Sequence, residues 1–244
     1  MLAGTPGLRR TRINLGESIF FVLLVLLSVF ILLGSPLFDV REITVQGNHY
    51  MSADKIIKAS GITAGTNIFK INLGQAAQGL KALPLLKDVQ LSRQLPGRVV
   101  IRVTERQPVA LLPWGSGFVQ VDGDGVCLQN GSVSGNLPLI TGINVRVPPP
   151  GQVVQGAQLP AVLKAIRQLP PSLVRQLSEV HRTAQGQVIL YTLDGVQCRL
   201  GTSGDMAGKG AVLLQVLNKV RKDGRKIDYI DLSYPGMPVV KYSS

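Results

Sequence analysis

The residues of this chain that could take part in catalysis are few and widely separated. Its two histidines are His49, which follows Gly47-Asn48, and His181, which lies in a stretch typical of a β-strand. Neither has a carboxylate or a thiol at the spacing of a nucleophile and its base, so both are expected to be surface or packing residues. The sequence therefore predicts a protein that is not an enzyme, against the alternative of a membrane-anchored hydrolase.

The two cysteines, Cys127 and Cys198, are far apart in the sequence. Neither lies in a Cys-x-x-Cys motif or beside a histidine at metal-ligand spacing, so no zinc site and no redox motif is predicted. The pair could form one disulfide in an oxidising compartment. Because the chain lacks the many cysteines of a disulfide framework, buried free thiols are the favoured interpretation.

Two loops partly match ligand-binding motifs. A phosphate-binding loop ending at Gly208-Lys209 would need glycine at position 203 and serine or threonine at 210, where the chain has Ser203 and Gly210. The acidic segment Asp122-Gly123-Asp124-Gly125 is followed by apolar residues instead of the further oxygen ligands of a calcium loop. It is therefore predicted to be a hairpin turn, and no cofactor or metal is predicted at either loop.

Composition and charge indicate a folded, basic protein. The chain has 244 residues, of which 45% are hydrophobic and 16% charged, a balance that argues against disorder. The net charge is +12, and the first 17 residues contribute only +2 of it, from three arginines against Glu17. Such basicity suits nucleic acid, anionic lipid or wall polymers. Because no basic run is interleaved with aromatic residues, no nucleic-acid partner is predicted.

An uncharged run near the N-terminus predicts a membrane-spanning helix. Ile19 to Leu33 is strongly apolar except for Ser28, and the run continues to Phe38, which gives about 30 Å of helix. A small-x-small cleavage pattern is absent, so the segment is interpreted as an uncleaved signal anchor and not a cleaved signal peptide. Arg9, Arg10 and Arg12 place the N-terminus in the cytoplasm by the positive-inside rule.

The next 70 or so residues have the pattern β-α-α-β-β. The first strand changes the phase of its apolar residues at Arg41-Glu42, as a β-bulge would. Ser52 and Gly61 are suited to begin and end a short helix, and Asn72 is suited to begin a second. The predicted elements are strand Phe38 to Gln46, helices Ala53 to Ser60 and Leu73 to about Leu83, and a hairpin whose strands include Val89 to Ser92 and Val99 to Thr104.

The remaining residues predict a mostly antiparallel β domain with two helices. Gln185-Gly186 and Asp194-Gly195 are two-residue hairpin signals. The predicted helices are about Leu159 to Leu169, ended by Pro170-Pro171, and Met206 to Lys222, ended by Gly224. The predicted strands are Val109 to Leu112, Phe118 to Val121, Val126 to Leu128, Leu177 to Arg182, Gln187 to Tyr191, Val196 to Leu200, Ile227 to Ser233 and Pro238 to Tyr242.

Several of these segments resemble one known family along nearly the whole chain. The first region resembles a POTRA domain of the bacterial cell-division family FtsQ, called DivIB in Gram-positive bacteria. The second region resembles the same family, and the stretch from Ser132 to Gln158 matches it weakly. The segments that carry the resemblance are Phe38-Asp39-Val40, Val45-Gln46-Gly47-Asn48, Gly65-Thr66-Asn67-Ile68-Phe69, Leu95-Pro96-Gly97, Val103-Thr104-Glu105-Arg106-Gln107-Pro108, Gly195-Val196, Arg199-Leu200-Gly201, the helix with Lys209, and Ile227-Asp228-Tyr229-Ile230-Asp231-Leu232-Ser233-Tyr234.

The resemblance implies an α+β fold, with a single N-terminal transmembrane helix, a POTRA domain (β-α-α-β-β) and the β domain. The predicted boundaries are 1–17 for a cytoplasmic tail, 18–37 for the transmembrane helix, 38–107 for the POTRA domain and 108–244 for the FtsQ/DivIB-type β domain. The expected location is the cell membrane at the division septum, as a single-pass type II protein with its C-terminus outside the cytoplasm.

The resemblance also implies a non-enzymatic divisome scaffold. Its expected partners are FtsB/DivIC-like and FtsL-like membrane proteins, a septal wall synthase complex and the lipid bilayer. Because the last strands of a sheet expose unpaired backbone groups, Ile227 to Tyr234 is expected to be an edge that binds a partner strand. The expected contact residues are Tyr229, Asp231, Ser233 and Tyr234.

Several alternatives remain open from the residues. The chain could instead be a basic wall- or lipid-binding anchor, or a POTRA protein of secretion or outer-membrane assembly. The POTRA edge near Arg41-Glu42 could accept a second partner strand. Glu105 and Arg106 could simply be a solvated strand end, and Pro108 is expected only to break the strand.

Overall fold

The computed structural model of the chain describes residues 15–130, 137–202, 204–234 and 237–242. These form two compact units. The first comprises the described residues up to Gly79 together with Gln90–Arg102, and the second comprises Leu80–Val89 together with the described residues from Val103 onward. Arg9, Arg10 and Arg12, on which the predicted orientation depends, lie outside the described residues.

The first unit begins with helix α1, Leu15–Leu33. Its window Gly16–Leu33 has a mean hydropathy of 2.6 and is not buried against the rest of the protein, as suits lipid contact. It is the one helix among the described residues with the length and composition of a membrane span. The helix ends before Gly34-Ser35, and Pro36–Phe38 forms a single 3₁₀ turn. The predicted apolar helix is present.

After α1 the chain follows the predicted order β-α-α-β-β: β1 (Glu42–Gln46), α2 (Ala53–Ser60), α3 (Leu73–Lys81), β2 (Leu86–Gln94) and β3 (Arg98–Glu105). The three strands form a sheet in the order β1-β3-β2, with β1 parallel to β3. Ser52 Oγ accepts from the amide of Lys55 at 3.4 Å, and Gly61 ends α2 with a φ of +67°. Asn72 Oδ1 accepts from the amide of Gln75 at 3.0 Å at the start of α3.

The bulge that the sequence indicates at Arg41-Glu42 is visible in the hydrogen bonds. The amides of both residues donate to the carbonyl of Gly97, at 2.8 and 3.3 Å, so two residues at the entry to β1 oppose the one residue that precedes β3. A Cβ at position 97 would lie 2.4 Å from the carbonyl oxygen of Asp39. Only glycine therefore allows the two backbones to approach this closely.

The second unit is built on a nine-stranded sheet. Its elements are β4 (Pro108–Trp114), β5 (Gly117–Asp122), β6 (Cys127–Asn130), β7 (Leu139–Thr141), α4 (Leu159–Gln168), α5 (Pro171–Val174), β8 (Leu177–Arg182), β9 (Val188–Thr192), β10 (Gln197–Gly201), α6 (Met206–Lys222), β11 (Ile227–Asp231) and β12 (Val239–Tyr242). The strand order is β12-β11-β10-β9-β8-β7-β4-β5-β6. The neighbouring pairs β10–β11, β4–β7 and β7–β8 are parallel, and the others are antiparallel.

One face of this sheet forms the core with the two long helices. Leu190, Leu200 and Ile230 alternate along their strands with half-buried residues, and they belong to one buried cluster with Leu163 of α4 and Leu213 of α6. The predicted α+β class and mostly antiparallel second domain are confirmed. Both cysteines belong to the same cluster as free thiols, and burial raises the pKa of Cys198 to about 12 and also raises that of Cys127.

Three elements differ from the sequence prediction. Strand β1 begins at Glu42 and not at Phe38, which belongs to the 3₁₀ turn. Strand β7 was not predicted, because three residues are too few to show a period of two. Pro170-Pro171 does end α4, but Pro171 also begins the four-residue helix α5, where its missing amide costs nothing.

The interpretation of Glu105 and Arg106 as a solvated strand end is wrong. Glu105 is buried, and the Arg106 guanidinium contacts Asp122 Oδ2 at 2.6 Å, with side-chain exposures of only 18% and 5% for the two partners. Asp122 Oδ1 also accepts from the amides of Asp124 and Val126, at 2.9 and 2.8 Å, and so holds the predicted hairpin turn between β5 and β6. Pro108 is the first residue of β4, a strand position that tolerates proline.

Candidate partner-binding site

The open edge of the nine-stranded sheet is β12. This strand pairs with β11 over Val239 to Tyr242, and no other strand among the described residues pairs with its second side. Strand β11 itself has β10 on one side and β12 on the other. The expectation that Ile227 to Tyr234 forms the exposed edge is therefore wrong: the strand ends at Asp231 and is covered on both sides.

The opposite end of the sheet is covered by the protein's own chain. The amide of Gly151 donates to the carbonyl of Cys127 at 2.7 Å, and the amide of Cys127 donates to the carbonyl of Gln152 at 2.9 Å. These bonds occupy part of the outer side of β6. Among the described residues, β12 therefore offers an edge at which an added strand would find unpaired N–H and C=O groups.

Tyr229 lies on the solvent face of the sheet, one strand in from this edge. The next residue, Ile230, is fully buried on the opposite face, whereas Tyr229 is half-buried. The Arg199 guanidinium carbon lies 4.4 Å from the centre of the Tyr229 ring, and Lys241 Nζ lies 5.5 Å from it. These are cation–π distances, so one aromatic ring is held between two cations from the neighbouring strands.

The polar side chains around Tyr229 are fixed by hydrogen bonds. Gln197 Oε1 accepts from Arg199 Nη2 at 3.0 Å, while its Nε2 donates to the hydroxyl of Tyr191 at 3.1 Å. Lys241 Nζ contacts Asp228 Oδ2 at 2.9 Å, and this hydrogen bond raises the pKa of Lys241. The surface beside the open edge therefore carries ordered cationic side chains, of which Lys241 is already paired with a carboxylate, before any partner arrives.

The other predicted contact residues follow the end of β11. Asp231 Oδ1 accepts from the amide of Ser233 at 2.8 Å, and a Cβ at Gly201 would lie 3.1 Å from the Cα of Ser233. Both side chains are half-buried, whereas Tyr234 is 76% exposed. Within the described residues, Asp231 and Ser233 therefore contribute local structure, and Tyr229 and Tyr234 present aromatic surface.

Sequence reasoning missed Arg199 and Lys241, which the structure brings to Tyr229. Arg199 alternates with the core residues Cys198 and Leu200, a signal that places it on the outer face. The pairing of its strand, β10, with β11 could not be predicted, because α6 separates the two strands in the sequence. Lys209, which the family resemblance singled out, donates from Nζ to the carbonyl of Leu200 at 2.5 Å and has a structural contact there.

The two histidines have no catalytic arrangement in the described structure. His181 Nδ1 lies 2.7 Å from the hydroxyl of Thr141 and 3.7 Å from Glu179 Oε1. The carboxylate is therefore on the same ring nitrogen as the hydroxyl, whereas a catalytic triad holds the imidazole by its other nitrogen. His49 follows β1, in the other unit. No group of three metal-binding side chains occurs among the described residues.

These features define the chain as a POTRA-containing protein carried on one N-terminal apolar helix. A family model described as "POTRA domain, FtsQ-type" matches residues 38–106, and one described as "Cell division protein FtsQ/DivIB, C-terminal" matches residues 110–233. The second match covers about half of the chain. The chain belongs to the FtsQ/DivIB family of cell division proteins.

Relatives from distant bacteria agree with this assignment. The cell division protein FtsQ of Myxococcus fulvus is 30% identical, over 87% of this chain and 76% of its own length. FtsQ of Corynebacterium glutamicum is 27% identical over 84% of this chain and 88% of its own. DivIB of Staphylococcus aureus is 24% identical over 82% of this chain, which spans only 45% of that longer protein.

A solved structure of the extracytoplasmic domain of DivIB from Geobacillus stearothermophilus also matches. It is 18% identical, and the match covers 46% of this chain and 87% of that one, with a TM-score of 0.32. This score is too low to transfer any detail of that domain to the present chain.

Proposed function

We propose that the chain is a non-enzymatic divisome scaffold. It binds FtsB/DivIC-like and FtsL-like membrane proteins at the β12 end of its sheet and so helps coordinate septum formation with septal peptidoglycan synthesis. The observation that carries the proposal is the open side of β12, beside the ring of Tyr229 between Arg199 and Lys241.

The chemistry of this surface suits an extended acidic or aromatic partner segment. An added strand pairs its backbone with β12, which gives affinity, while Tyr229 and its two cations select side chains on the solvent face. Tyrosine and arginine are among the residue types that most often carry binding energy at interfaces. In this arrangement Asp231 and Ser233 hold the end of β11 in place, and the exposed Tyr234 extends the contact.

The apolar helix and the family support the proposed location. The N-terminus stays in the cytoplasm, the two folded units lie outside it, and the chain concentrates at the septum, where a septal wall synthase complex is a further partner. The basic exterior faces the anionic outer surface of the bilayer and the wall.

The test measures binding of the full chain in detergent micelles to soluble domains of an FtsB/DivIC-like and an FtsL-like protein. Tyr229→Ala removes the ring between Arg199 and Lys241, and we expect it to weaken binding by roughly 10- to 30-fold, the loss of about 1.4–2 kcal/mol. Tyr50→Ala, at an exposed tyrosine of the first unit, is the matched control and should bind as the unchanged chain does.

Amide hydrogen exchange then tests the mode of binding. Strand addition should slow the exchange of amides in Val239–Tyr242 when the partner is present. Binding without such protection would contradict strand addition, whereas no binding of either domain by the unchanged chain would overturn the proposed function itself.

A further inference from the structure

One buried side chain joins the end of α1 to the loop between α2 and α3 of the first unit. Asn67, in the loop between α2 and α3, donates from Nδ2 to the carbonyl of Leu33, the last residue of α1, at 2.8 Å. Its Oδ1 accepts from the amide of Phe69 at 3.0 Å. Asn67 is itself buried, so its amide group ties this loop directly to the end of the apolar helix.

Backbone hydrogen bonds make the same junction stiff. The chain from the last residue of the 3₁₀ turn onward runs beside the loop: the amide of Ile68 donates to the carbonyl of Phe38, the amide of Val40 to that of Thr66, and the amide of Gly65 to that of Val40, all at 2.8–2.9 Å. The rings of Phe38 and Phe69 pack with their centres 5.2 Å apart. The loop therefore cannot move away from the end of α1 without breaking this ladder.

The length of α1 then fixes where the loop must lie. Nineteen residues make a helix of about 28 Å, close to the roughly 30 Å of a bilayer's hydrocarbon core. If α1 spans the bilayer, the carbonyl of Leu33 lies at the boundary between hydrocarbon and headgroups. Asn67, which contacts that carbonyl, must lie in the headgroup layer, and Phe69 follows two residues later.

The side chains exposed near Leu33 and Asn67 suit the headgroup layer of the bilayer. Leu37 and Phe69 are 46% and 43% exposed, although both are large and apolar. Lys70 and Arg41 flank them and are exposed. Apolar and aromatic side chains next to basic ones are typical of surfaces that rest in a bilayer interface, where the rings meet the acyl boundary and the cations meet phosphate.

We propose that Leu37, Phe69, Lys70 and Arg41 form a membrane-resting collar, through which the first folded unit sits on the bilayer. Leu37 and Phe69 enter the interface, and the two cations contact the headgroups of anionic phospholipids. The collar lies in the first unit and β12 in the second, so this inference does not depend on the proposed partner site.

The test uses the full chain in lipid nanodiscs. Because Cys127 and Cys198 are both buried, a cysteine introduced at an exposed position can be labelled selectively with an environment-sensitive dye. Phe69→Cys and, independently, Leu37→Cys report on the collar. Tyr50→Cys is the control, since it is 66% exposed and follows β1, whose five residues extend about 16 Å from the bulge.

We expect dyes at 69 and 37 to emit at shorter wavelength than the dye at 50 and to lose more emission to a quencher carried on the lipid. In nanodiscs containing phosphatidylglycerol, Lys70→Glu should reduce both the shift to shorter wavelength and the lipid quenching of the dye at 69, whereas Lys55→Glu on α2 should not. The proposal is overturned if the dyes at 69 and 37 are quenched no more than the dye at 50. The role assigned to anionic headgroups is overturned if phosphatidylcholine gives the same result and Lys70→Glu changes nothing.

Discussion

Asp122 is expected to be among the most sensitive positions of the second unit. Its carboxylate accepts hydrogen bonds from the amides of Asp124 and Val126 and from the guanidinium of Arg106, at 2.6 to 2.9 Å. Only 5% of the side chain is exposed, so water cannot replace these partners. Asp122→Ala removes all three bonds at once.

The size of the effect follows from what each partner loses. The amide of Val126 is buried and would be left unsatisfied, at a cost of about 1–3 kcal/mol. Arg106 is 18% exposed and keeps a 3.8 Å contact with Asp124, so its loss is smaller than the roughly 3–5 kcal/mol of a fully buried pair. We expect Asp122→Ala to lower the free energy of unfolding by about 3–5 kcal/mol. Asp122→Asn keeps an oxygen for the two amides and should cost about half as much.

Trp114 allows the unfolding of the second unit to be measured by fluorescence. It is the only tryptophan of the chain and ends β4, so its fluorescence in a urea titration of the full chain in micelles reports on the second unit. Asp223→Ala, at an exposed aspartate without an ion pair among the described residues, should change the free energy of unfolding by less than about 0.5 kcal/mol. A loss below about 1 kcal/mol for Asp122→Ala, or equal losses for its Ala and Asn variants, would refute the reasoning.

Three further outcomes are expected. Gly79→Ala places a Cβ 2.8 Å from a carbonyl oxygen of α2. It should therefore destabilise the first unit by about 1–2 kcal/mol and speed amide exchange in α2. Gly74→Ala is the control, because its Cβ meets no backbone atom, and it should have neither effect. The hydrogen bond from Lys87 lowers the pKa of Asp124, so the stability that this pair adds is present above the ordinary value of 3.8 and lost as pH falls through the lowered one. The unfolding midpoints of the unchanged chain and Lys87→Ala should therefore differ near neutral pH and converge in acid. Cys198, with a pKa of about 12, should react with a maleimide at about pH 8 only as fast as the protein unfolds; rapid reaction of the folded chain would contradict its burial.

The sequence predicted best those elements whose ends carry local signals. Helix α2 begins after Ser52 and ends at Gly61, and α6 ends near Gly224, so their limits could be read from the residues alone. Strand β7 could not be found in this way. It is stabilised by parallel neighbours on both sides, β4 and β8, which are distant in sequence.

The candidate site was predicted in part for the same reason. The alternation around Ile230 and Leu232 correctly identified these two as core residues, whereas Tyr229 was indicated by the family resemblance. The order of strands in a sheet depends on pairing over long separations, so the sequence could not tell that β12 covers β11 or that Arg199 stands over Tyr229. The contact of Arg106 with Asp122 was equally unreadable, because the two residues belong to different strands.

The difference between the two ends of the large sheet also limits how this protein can assemble. Its β6 end is partly occupied by residues 151 and 152, so among the described residues of this sheet strand addition is favoured at β12. A second copy that paired its own β12 there would form a closed two-fold dimer and would occupy the edge in both chains. Self-association and partner binding through this edge would then compete. A higher concentration of the protein in the membrane would lower the fraction of chains whose β12 is free to bind a partner.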